Sequence, residues 1–170
     1  EATNMTDQMA ALRCLVNSDS KLAIDLANAS LKAFYDKWKD EPLVVDQWFM
    51  VQASCQREGT LARVKELLQH EAFEIRNPNK VLSLIRAFCG QNYIGFHHAS
   101  GEGYEFLADQ VLVVDKFNPQ IAARLLVPLT RWKKFDANRQ AMMQTQLLRI
   151  KAETNLSKDV FEVVDKSTIN

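Results

Sequence analysis

The sequence predicts an all-α protein built from antiparallel helix pairs. In SDSKLAIDLANASLKAFYDKW, apolar residues recur at steps of three and four, which is the pattern of a helix with a buried face. No stretch shows the sustained two-residue alternation of a half-buried strand, and the 170 residues include only five glycines and four prolines. The two apolar rows of this helix are Leu22, Leu26, Ala29, Ala33 and Ala23, Ala27, Leu31, Phe34, Trp38.

Capping residues and prolines mark the helix starts. Asn accepts a hydrogen bond from a backbone N–H that the first turn leaves unpaired, and proline lacks the N–H that would be unpaired there. These signals lie at Thr6 or Asp7, Pro42, Asn77-Pro78, Asn118-Pro119, Asp136 and Ser157. With the apolar periodicity they predict about ten helices, namely 5–17, 20–39, 43–57, 60–69, 78–89, 91–98, 103–116, 119–127, 136–152 and 157–167.

The short connections between these helices favour antiparallel neighbours, arranged either as a compact bundle or as helix pairs in a solenoid. The sequence has no strict tetratricopeptide or ankyrin repeat. What recurs is an Asn-Pro opening followed by an amphipathic helix, at NPNKVLSLIRAF and NPQIAARLLVPL. A degenerate solenoid is therefore compatible with the sequence, and the bundle remains open.

The composition predicts one soluble domain over residues 1–170, because 47% hydrophobic residues suffice for one sizeable core. Lys+Arg and Asp+Glu number 21 each, so no net field gathers nucleic acid or anionic lipid. No apolar run reaches the roughly 18 residues of a membrane span. The start EATNMTDQ lacks the features of a signal peptide, and Glu1 in place of Met indicates either a piece of a longer chain or a processed mature protein.

The three cysteines, Cys14, Cys55 and Cys89, are far apart and odd in number. Each lies in a segment with apolar periodicity, where a thiol behaves as a small buried hydrophobe. This usage predicts buried thiols and a reducing compartment, which is the cytoplasm.

The stretch GFHHASGEGYEF, residues 95–106, concentrates the residues that could carry chemistry. His97 and His98 are adjacent, whereas two ligands of one metal ion on a helix lie three or four residues apart. A phosphate-binding loop needs a preceding strand and a GK[ST] ending, and both are missing. We therefore interpret the stretch as a helix–loop–helix corner, turned by glycines and entering the core through aromatic residues, at Gly101, Gly103, Tyr104 and Phe106.

Three other features favour structural roles over chemical ones. His70-Glu71 is similar to the first half of HExxH, but position 74 is Glu, so a solvated face or a helix end is favoured over a weak divalent-ion site at His70 and Glu74. The basic run RWKKFDANR, residues 131–139, is interpreted as an exposed connection with snorkelling lysines. No combination of nucleophile, base and orienting residue is recognisable, so no catalytic residue is assigned. Most of the large aromatic residues are expected in the core, namely Phe34, Tyr35, Trp38, Trp48 and Phe49.

Five stretches carry a resemblance to a known family. They are NMTDQMAALRCLVN, FYDKWKDEPLVVDQWFMVQA, VKELLQHEAFEIRNPNKVLSLIRAF, GFHHASGEGYEFLADQVLVVDKFNPQIAARLLVPLTRWKKFDANRQAMM and NLSKDVFEVVDK. The combination of D-x-W-F, NPN, FH-x-x-x-G-x-GY-x-FLAD and NPQ-x-A-x-RL-x-x-PL is specific as a set. In this order, from Asn4 to Lys166, the chain resembles the C-terminal helical domain of bacterial aminopeptidase N, a zinc-dependent exopeptidase of the gluzincin class.

The resemblance implies a right-handed α-α superhelix of HEAT- or armadillo-like helix pairs, as a C-terminal fragment of a larger enzyme. In the family the catalytic domain lies upstream in the same polypeptide and carries HExxH with zinc, so this chain is expected to hold no metal, no cofactor and no catalytic residue. The family's helical domain closes over the catalytic domain. The implied function is to cap the active-site cavity and to control which peptides reach the zinc, in the bacterial cytoplasm.

The resemblance carries over to few individual residues. Arg124, within NPQIAARL, matches an arginine on the cavity side, where a guanidinium meets a peptide carboxylate or the other domain. Lys80, within NPNKVLSLI, matches a basic position of the family, whereas Leu82 is apolar in a segment that often carries a second basic residue. The alternative function is a free-standing helical-repeat module that binds a partner protein. A metal hydrolase in its own right is a third, minor hypothesis.

Overall fold

The computed structural model describes residues 4–18 and 20–169, and within these ranges all regular secondary structure is helical. The all-α prediction is therefore confirmed for the described part of the chain. Residues 1–3, at the start of EATNMTDQ, lie outside the described residues. The chain divides into two compact units, Glu1–Gly95 and Phe96–Asn170, and each has its own buried apolar residues.

The first unit is organised around its third helix. Its elements are α1 (Met5–Val16), α2 (Lys21–Trp38), α3 (Pro42–Ala53), α4 (Thr60–Leu67), α5 (Pro78–Val81), a π-helical segment (Leu82–Arg86) and α6 (Ala87–Gln91). α3 contacts α1, α2, α4 and the π-helical segment. A helix that is covered on most sides needs apolar residues on most sides, and α3 buries Val45, Trp48, Phe49, Val51 and Ala53.

The second unit is built from two helix pairs. After α7 (Tyr93–Phe96), which ends at the start of this unit, its elements are α8 (Glu102–Asp115), α9 (Pro119–Leu125), α10 (Val127–Thr130), a 3-10 helix (Trp132–Lys134), α11 (Ala137–Lys151) and α12 (Lys158–Thr168). α8 packs against α9 and α11, and α12 packs against the same two helices. The side chains at the centre of this core are Tyr104, Leu107, Val111, Met143, Leu147 and Val164.

The predicted helix starts are confirmed at five of the six positions. Pro42 occupies the first turn of α3, and the side chains of Asn77, Asn118, Asp136 and Ser157 each accept a hydrogen bond from the backbone of the first turn that follows. The predicted helix 5–17 is confirmed as α1, but its predicted cap is wrong. Asn4 caps this helix by accepting from the Asp7 N–H at 2.9 Å, so Thr6 and Asp7 are already inside it.

Two predicted helices have the wrong extent. The segment 43–57 ends at Ala53, because the chain turns there and the Cys55 thiol donates to the Val16 carbonyl at 2.8 Å. The segment 91–98 is broken at Asn92, whose side-chain amide donates to the Ala53 carbonyl at 3.2 Å and to that of Cys55. The hydrogen bonds that a buried Asn side chain donates to the end of another helix compete with the backbone hydrogen bonds that would continue its own helix.

The burial of α2 differs from the prediction. The row containing Ala27, Leu31 and Phe34 is buried, as expected for a core face. The other apolar row is turned outward, and Leu22 and Leu26 are 80% and 52% exposed. The prediction of three buried cysteines is also wrong in one case, since Cys14 is exposed while Cys55 and Cys89 are buried.

Candidate functional site

Arg124 lies in the last turn of α9 and is exposed. Its position follows from the helix, because Ile121, Ala122 and Leu125 form the buried face. The Asn118 cap and Pro119 fix where α9 begins and therefore fix this register. The structure thus presents a guanidinium on the surface of the second unit, on a helix that the core orients.

Lys80 lies in α5 of the first unit and is buried. Its ammonium group donates to the Asp46 carboxylate at 2.6 Å and to the Pro42 carbonyl at 3.4 Å. The ammonium also lies 5.7 Å from the centre of the Phe49 ring. Lys80 therefore ties the Asn-Pro opening of α5 to the start of α3, an ion pair that sequence reasoning missed because the partner is 34 residues away.

The corner at GFHHASGEGYEF has the form that the sequence predicts. Gly101 adopts a left-handed conformation with φ of 77° and precedes the first residue of α8. Tyr104 and Phe106 then point into the core and are 0% and 4% exposed. Gly103 has a different role from the predicted turn, since it lies inside α8 and touches the Phe96 backbone, where a Cβ atom would collide with the Phe96 carbonyl oxygen.

The His97 ring packs against three aromatic rings, those of Phe96, Tyr104 and Phe135. Its Nδ1 shares a hydrogen bond with the Tyr104 hydroxyl at 2.9 Å, and its ring stacks on Phe135 with 4.3 Å between ring centres. Burial, followed by the nearby positive charge of Arg139, lowers the pKa of His97 below its ordinary value. Burial raises the pKa of Tyr104. A neutral imidazole in such a setting acts as a packing group.

Arg139, in α11, forms a hydrogen bond with the corner at GFHHASGEGYEF. Its Nε donates to the His97 carbonyl at 2.9 Å, and its Nη1 donates to the Asp136 carboxylate at 2.7 Å. The same carboxylate caps α11, so one acidic residue starts the helix and orients the arginine. The basic run that was predicted to be an exposed connection is confirmed as one, with Trp132 buried and its lysines exposed.

His70 and His98 make local contacts. His70 Nδ1 accepts from the Ala72 N–H at 3.2 Å, and its ring packs against Tyr35 and Trp48 with 4.8 and 5.0 Å between ring centres. Burial lowers the pKa of His70. Glu74, which together with His70 was the alternative of a weak divalent-ion site, accepts a hydrogen bond from the Arg76 backbone N–H. His98 is exposed and shares a hydrogen bond with the Ser100 hydroxyl at 3.0 Å.

These local bonds bear on the zinc that the resemblance implies. Zinc in proteins takes three or four His, Cys, Asp or Glu ligands at one point. In residues 4–18 and 20–169 no three such side chains are grouped to hold a metal ion, so the described residues do not fit a zinc site. Within the same ranges, no helix combines the length and the apolar character that crossing a membrane requires.

The helical architecture agrees with the protein family that this sequence matches. Residues 1–169 match the family described as "Domain of unknown function (DUF3458_C) ARM repeats". The chain belongs to this ARM-repeat family. Its description decides between the two architectures that the sequence left open, because ARM repeats are helices stacked as a solenoid, so the predicted α-α superhelix is confirmed.

Three relatives of this ARM-repeat domain are named Aminopeptidase N. The chain is 40% identical to Aminopeptidase N of Haemophilus influenzae over 166 residues, 41% identical to Aminopeptidase N of Escherichia coli K12 over 167 residues, and 42% identical to Aminopeptidase N of Caulobacter vibrioides over 166 residues. The resemblance to bacterial aminopeptidase N that the motifs indicate is thereby confirmed. In each comparison the match covers 98% of this chain and 19% of the relative.

A solved structure shows the same arrangement of helices. The crystal structure of Legionella pneumophila aminopeptidase A in complex with aspartic acid matches with a TM-score of 0.89 and 38% sequence identity. The match covers 97% of this ARM-repeat domain and 19% of the other chain. The domain therefore spans about a fifth of the length of the proteins it is similar to.

Proposed function

We propose that this chain is a non-catalytic helical part of a zinc aminopeptidase, which removes N-terminal residues from peptides. In this proposal the chain caps the active-site cavity of a catalytic domain elsewhere in the same polypeptide and controls which peptides enter. The zinc belongs to that catalytic domain. The setting is the bacterial cytoplasm, and the partners are the catalytic domain and the peptide substrates, with neither nucleic acid nor membrane.

The extent of the match carries this proposal. Nearly all of this chain, 98%, aligns with a fifth of each aminopeptidase N. The ARM-repeat family likewise covers residues 1–169, which supports one helical domain over 1–170. A stack of helix pairs suits a wall around a cavity, because neighbouring pairs hold each other and leave one broad surface for a ligand.

The contacts of the histidine, arginine and lysine side chains favour a domain that caps the cavity over one that carries out catalysis. The histidine rings of the two units are held by Tyr104, Ala72 and Ser100, in contacts that fix local structure. Arg124 is the residue we propose to face the cavity, since it is exposed on a helix that the core orients. Lys80 is the second candidate from the sequence, and its bond to Asp46 gives it a part in ordering α5.

The proposal can be tested by deleting this segment from the longer polypeptide and by adding the segment back as a separate protein. The longer polypeptide should cleave amino-acid anilides and short peptides, and the same polypeptide without this segment should lose activity or lose its discrimination between short and long peptides. Adding the separately purified 170-residue chain should restore both properties. Gel filtration would show whether the two parts bind.

Two results would contradict the proposal. One is a purified chain that neither binds the upstream part nor alters its cleavage of peptides. The other is peptidase activity in the 170-residue chain alone, which would support the minor hypothesis of an independent metal hydrolase. If the chain binds an unrelated protein and the gene encodes no peptidase, the hypothesis of a free-standing interaction module replaces that of a domain that caps an active site.

A further inference from the structure

A cleft of about 300 Å³ lies in the second unit, where α8 ends and the chain passes from α11 to α12. Its lining combines two carboxylates, an amide and an ammonium group with two leucines, so three of the four polar side chains offer oxygen atoms to a ligand. The residues that line the cleft are Leu112, Asp115, Lys116, Glu153, Asn155 and Leu156.

The Asp115 carboxylate is buried at this cleft with one of its two oxygens unpaired. The residue is 7% exposed, and its Oδ2 accepts a hydrogen bond from the Ser157 N–H at 2.9 Å. Because Ser157 directly follows the lining residues Asn155 and Leu156, this bond holds the carboxylate at the cleft wall. In the part of the chain that the structure describes, the Asp115 Oδ1 is buried and has no hydrogen-bond partner. A buried oxygen of a charged group normally has a partner, so this one indicates a ligand at the cleft.

The other polar side chains of the cleft are exposed. Within residues 4–18 and 20–169, the side chains of Lys116, Glu153 and Asn155 make no hydrogen bond or ion pair. Lys116 and Glu153 therefore line the same cleft without pairing with each other. The two carboxylates of the cleft thus have no cationic partner among the described residues.

Two helices end beside the cleft and add to its negative charge. α8 and α11 are 14 and 15 residues long, and the last carbonyl groups of a helix have no partner within it. These carbonyl groups carry the negative end of the helix dipole, which favours a cation nearby. The positive N-terminus of α12 is already satisfied by the Ser157 cap and by the bond to Asp115. Carboxylates and helix ends therefore attract a cation, against the repulsion of Lys116.

We propose that this cleft binds a hard divalent cation, Mg²⁺ or Ca²⁺, through the Asp115 Oδ1, the Glu153 carboxylate and the Asn155 amide oxygen. Both ions take oxygen ligands and fill their remaining positions with water. Zinc needs three or four His, Cys, Asp or Glu ligands, whereas Mg²⁺ is commonly held by one or two carboxylates. The cleft therefore fits a hard cation although the described residues do not fit zinc. Exposed side chains at the rim rotate within nanoseconds, which lets the ion reach the buried oxygen.

A bound ion links Asp115 of α8 to Glu153 and Asn155 of the α11–α12 connection. Because the ion binds the folded chain and not the unfolded one, it stabilises the second unit. The Lys116 ammonium lines the same cleft, so it repels the ion and competes for the carboxylates. The site goes beyond the proposed function and does not depend on it, since neither a peptide nor zinc takes part.

Titration of the 170-residue chain with MgCl₂ and, separately, with CaCl₂ tests the proposal. A background of about 0.15 M KCl screens non-specific attraction. The backbone amide signals of residues 112–116 and 153–157 in nuclear magnetic resonance spectra should shift and saturate, with a Kd of about 0.1–1 mM for at least one ion. The ion with the lower Kd is the one that the cleft selects. Shifts that do not saturate with either ion, or that are confined to other residues, would overturn the proposal.

Two substitutions test the ligands of the ion. Glu153→Gln preserves the size of an exposed side chain and should raise Kd at least about tenfold, because it removes one negative charge. Asp115→Asn should raise Kd similarly, while its amide oxygen can still accept from the Ser157 N–H. Glu162→Gln, at an exposed carboxylate of α12 that does not line the cleft, is the matched control and should leave Kd unchanged.

The effect of Lys116→Met has a sign that only a cation predicts. Removing the competing ammonium should lower Kd about threefold or more. An anion or an amino acid would lose a partner instead, so weaker binding by Lys116→Met would overturn the proposal. Binding by Glu153→Gln that equals the wild type would overturn it as well. Circular dichroism shows whether each variant is folded, and the exposed positions of Lys116 and Glu153 allow both substitutions without loss of core packing.

Discussion

The Lys80 ammonium lies 2.6 Å from the Asp46 carboxylate, and only 10% and 16% of the two side chains are exposed. The pair joins the first turn of α5 to the first turns of α3. Removing two charges from water is costly, and the cost is recovered only when both partners and their hydrogen bonds are in place. The pair therefore makes the arrangement of these two helix starts depend on both residues.

We expect Lys80→Met to lower the free energy of unfolding by about 2–3 kcal/mol, because the Asp46 carboxylate would be left largely buried without its cation. Urea unfolding followed by circular dichroism measures this loss. The double variant with Asp46→Leu should recover part of it, since neither charge is then stranded.

A second ion pair provides the control. Lys32 and Asp36 are also 2.6 Å apart, but their side chains are 76% and 57% exposed. Water already solvates both groups, so Lys32→Met should cost no more than about 0.5 kcal/mol. Equal losses for Lys32→Met and Lys80→Met would show that the Lys80 pair contributes nothing beyond a surface contact.

The comparison of Lys80 with Asn118 shows what the sequence could and could not predict. Asn118 is followed by proline, and a cap acts within its own helical turn, so two adjacent residues were enough to predict the helix start. The Lys80–Asp46 contact joins residues 34 positions apart, and only the packing of α5 on α3 brings them together. Local rules therefore predicted the all-α class and most helix starts, and they missed this ion pair and the Arg139 contact to His97.

The α2 helix shows a second limit. Two apolar rows are visible in its sequence, and periodicity alone could not say which one faces the core. The two apolar rows of α2 have the same residue spacing. Which row is buried depends on the position of α3, which covers the row containing Leu31. Leu31 and Trp48 are linked by a hydrogen bond of 2.9 Å from the indole N–H to the Leu31 carbonyl, a contact that no pattern within α2 predicts.

We expect the stability of the second unit to fall as the pH is lowered below about 6.5, because of His97. Its pKa in the folded protein is lowered by burial and by Arg139. As the pH falls through the ordinary value of 6.5, the unfolded chain binds a proton before the folded chain does, so the unfolded state is favoured. The stability contribution is complete above this value and is lost toward the lower pKa of the folded protein.

Urea unfolding at pH 7.5 and pH 5.5 measures the effect, and His97→Gln should reduce the difference between the two values. His70 also has a pKa lowered by burial, so the His70→Gln variant should retain the part of the difference that belongs to His97. If His97→Gln leaves the pH dependence of the wild-type protein unchanged, His97 is not a source of it.

Two glycines in helices should respond oppositely to the same substitution. A Cβ atom at Gly103 would lie 2.8 Å from the Phe96 Cα and closer still to the Phe96 carbonyl oxygen. Because backbone atoms cannot rotate away as a side chain can, Gly103→Ala should destabilise the protein by about 2–4 kcal/mol.

A Cβ atom at Gly90, in α6, would meet no atom within 4 Å beyond its chain neighbours and the backbone of its own helix. Gly90→Ala should therefore stabilise the protein by about 0.5–1 kcal/mol, through the lower entropy of the unfolded chain. Thermal unfolding of both variants checks the pair of signs. A Gly103→Ala variant as stable as the wild type would show that there is room for a methyl group between Gly103 of α8 and the Phe96 backbone.

Arg124 should contribute to the binding of peptides that end in a free carboxylate, if it faces the cavity as proposed. Two parallel hydrogen bonds from a guanidinium to a carboxylate contribute about 1.5–3 kcal/mol, so Arg124→Gln should raise KM for a tetrapeptide about tenfold or more in the complete polypeptide. The value of kcat should change little, because the bond lies far from the reacting atoms and is similar in the ground and transition states. An aminoacyl anilide has no carboxylate, so the KM for this substrate should not change.

The control for Arg124→Gln is Arg131→Gln, at a second exposed arginine of the same unit. A loss that is equal for tetrapeptide and anilide would assign Arg124 to the contact between domains, because such a contact supports the catalytic site regardless of the substrate's end.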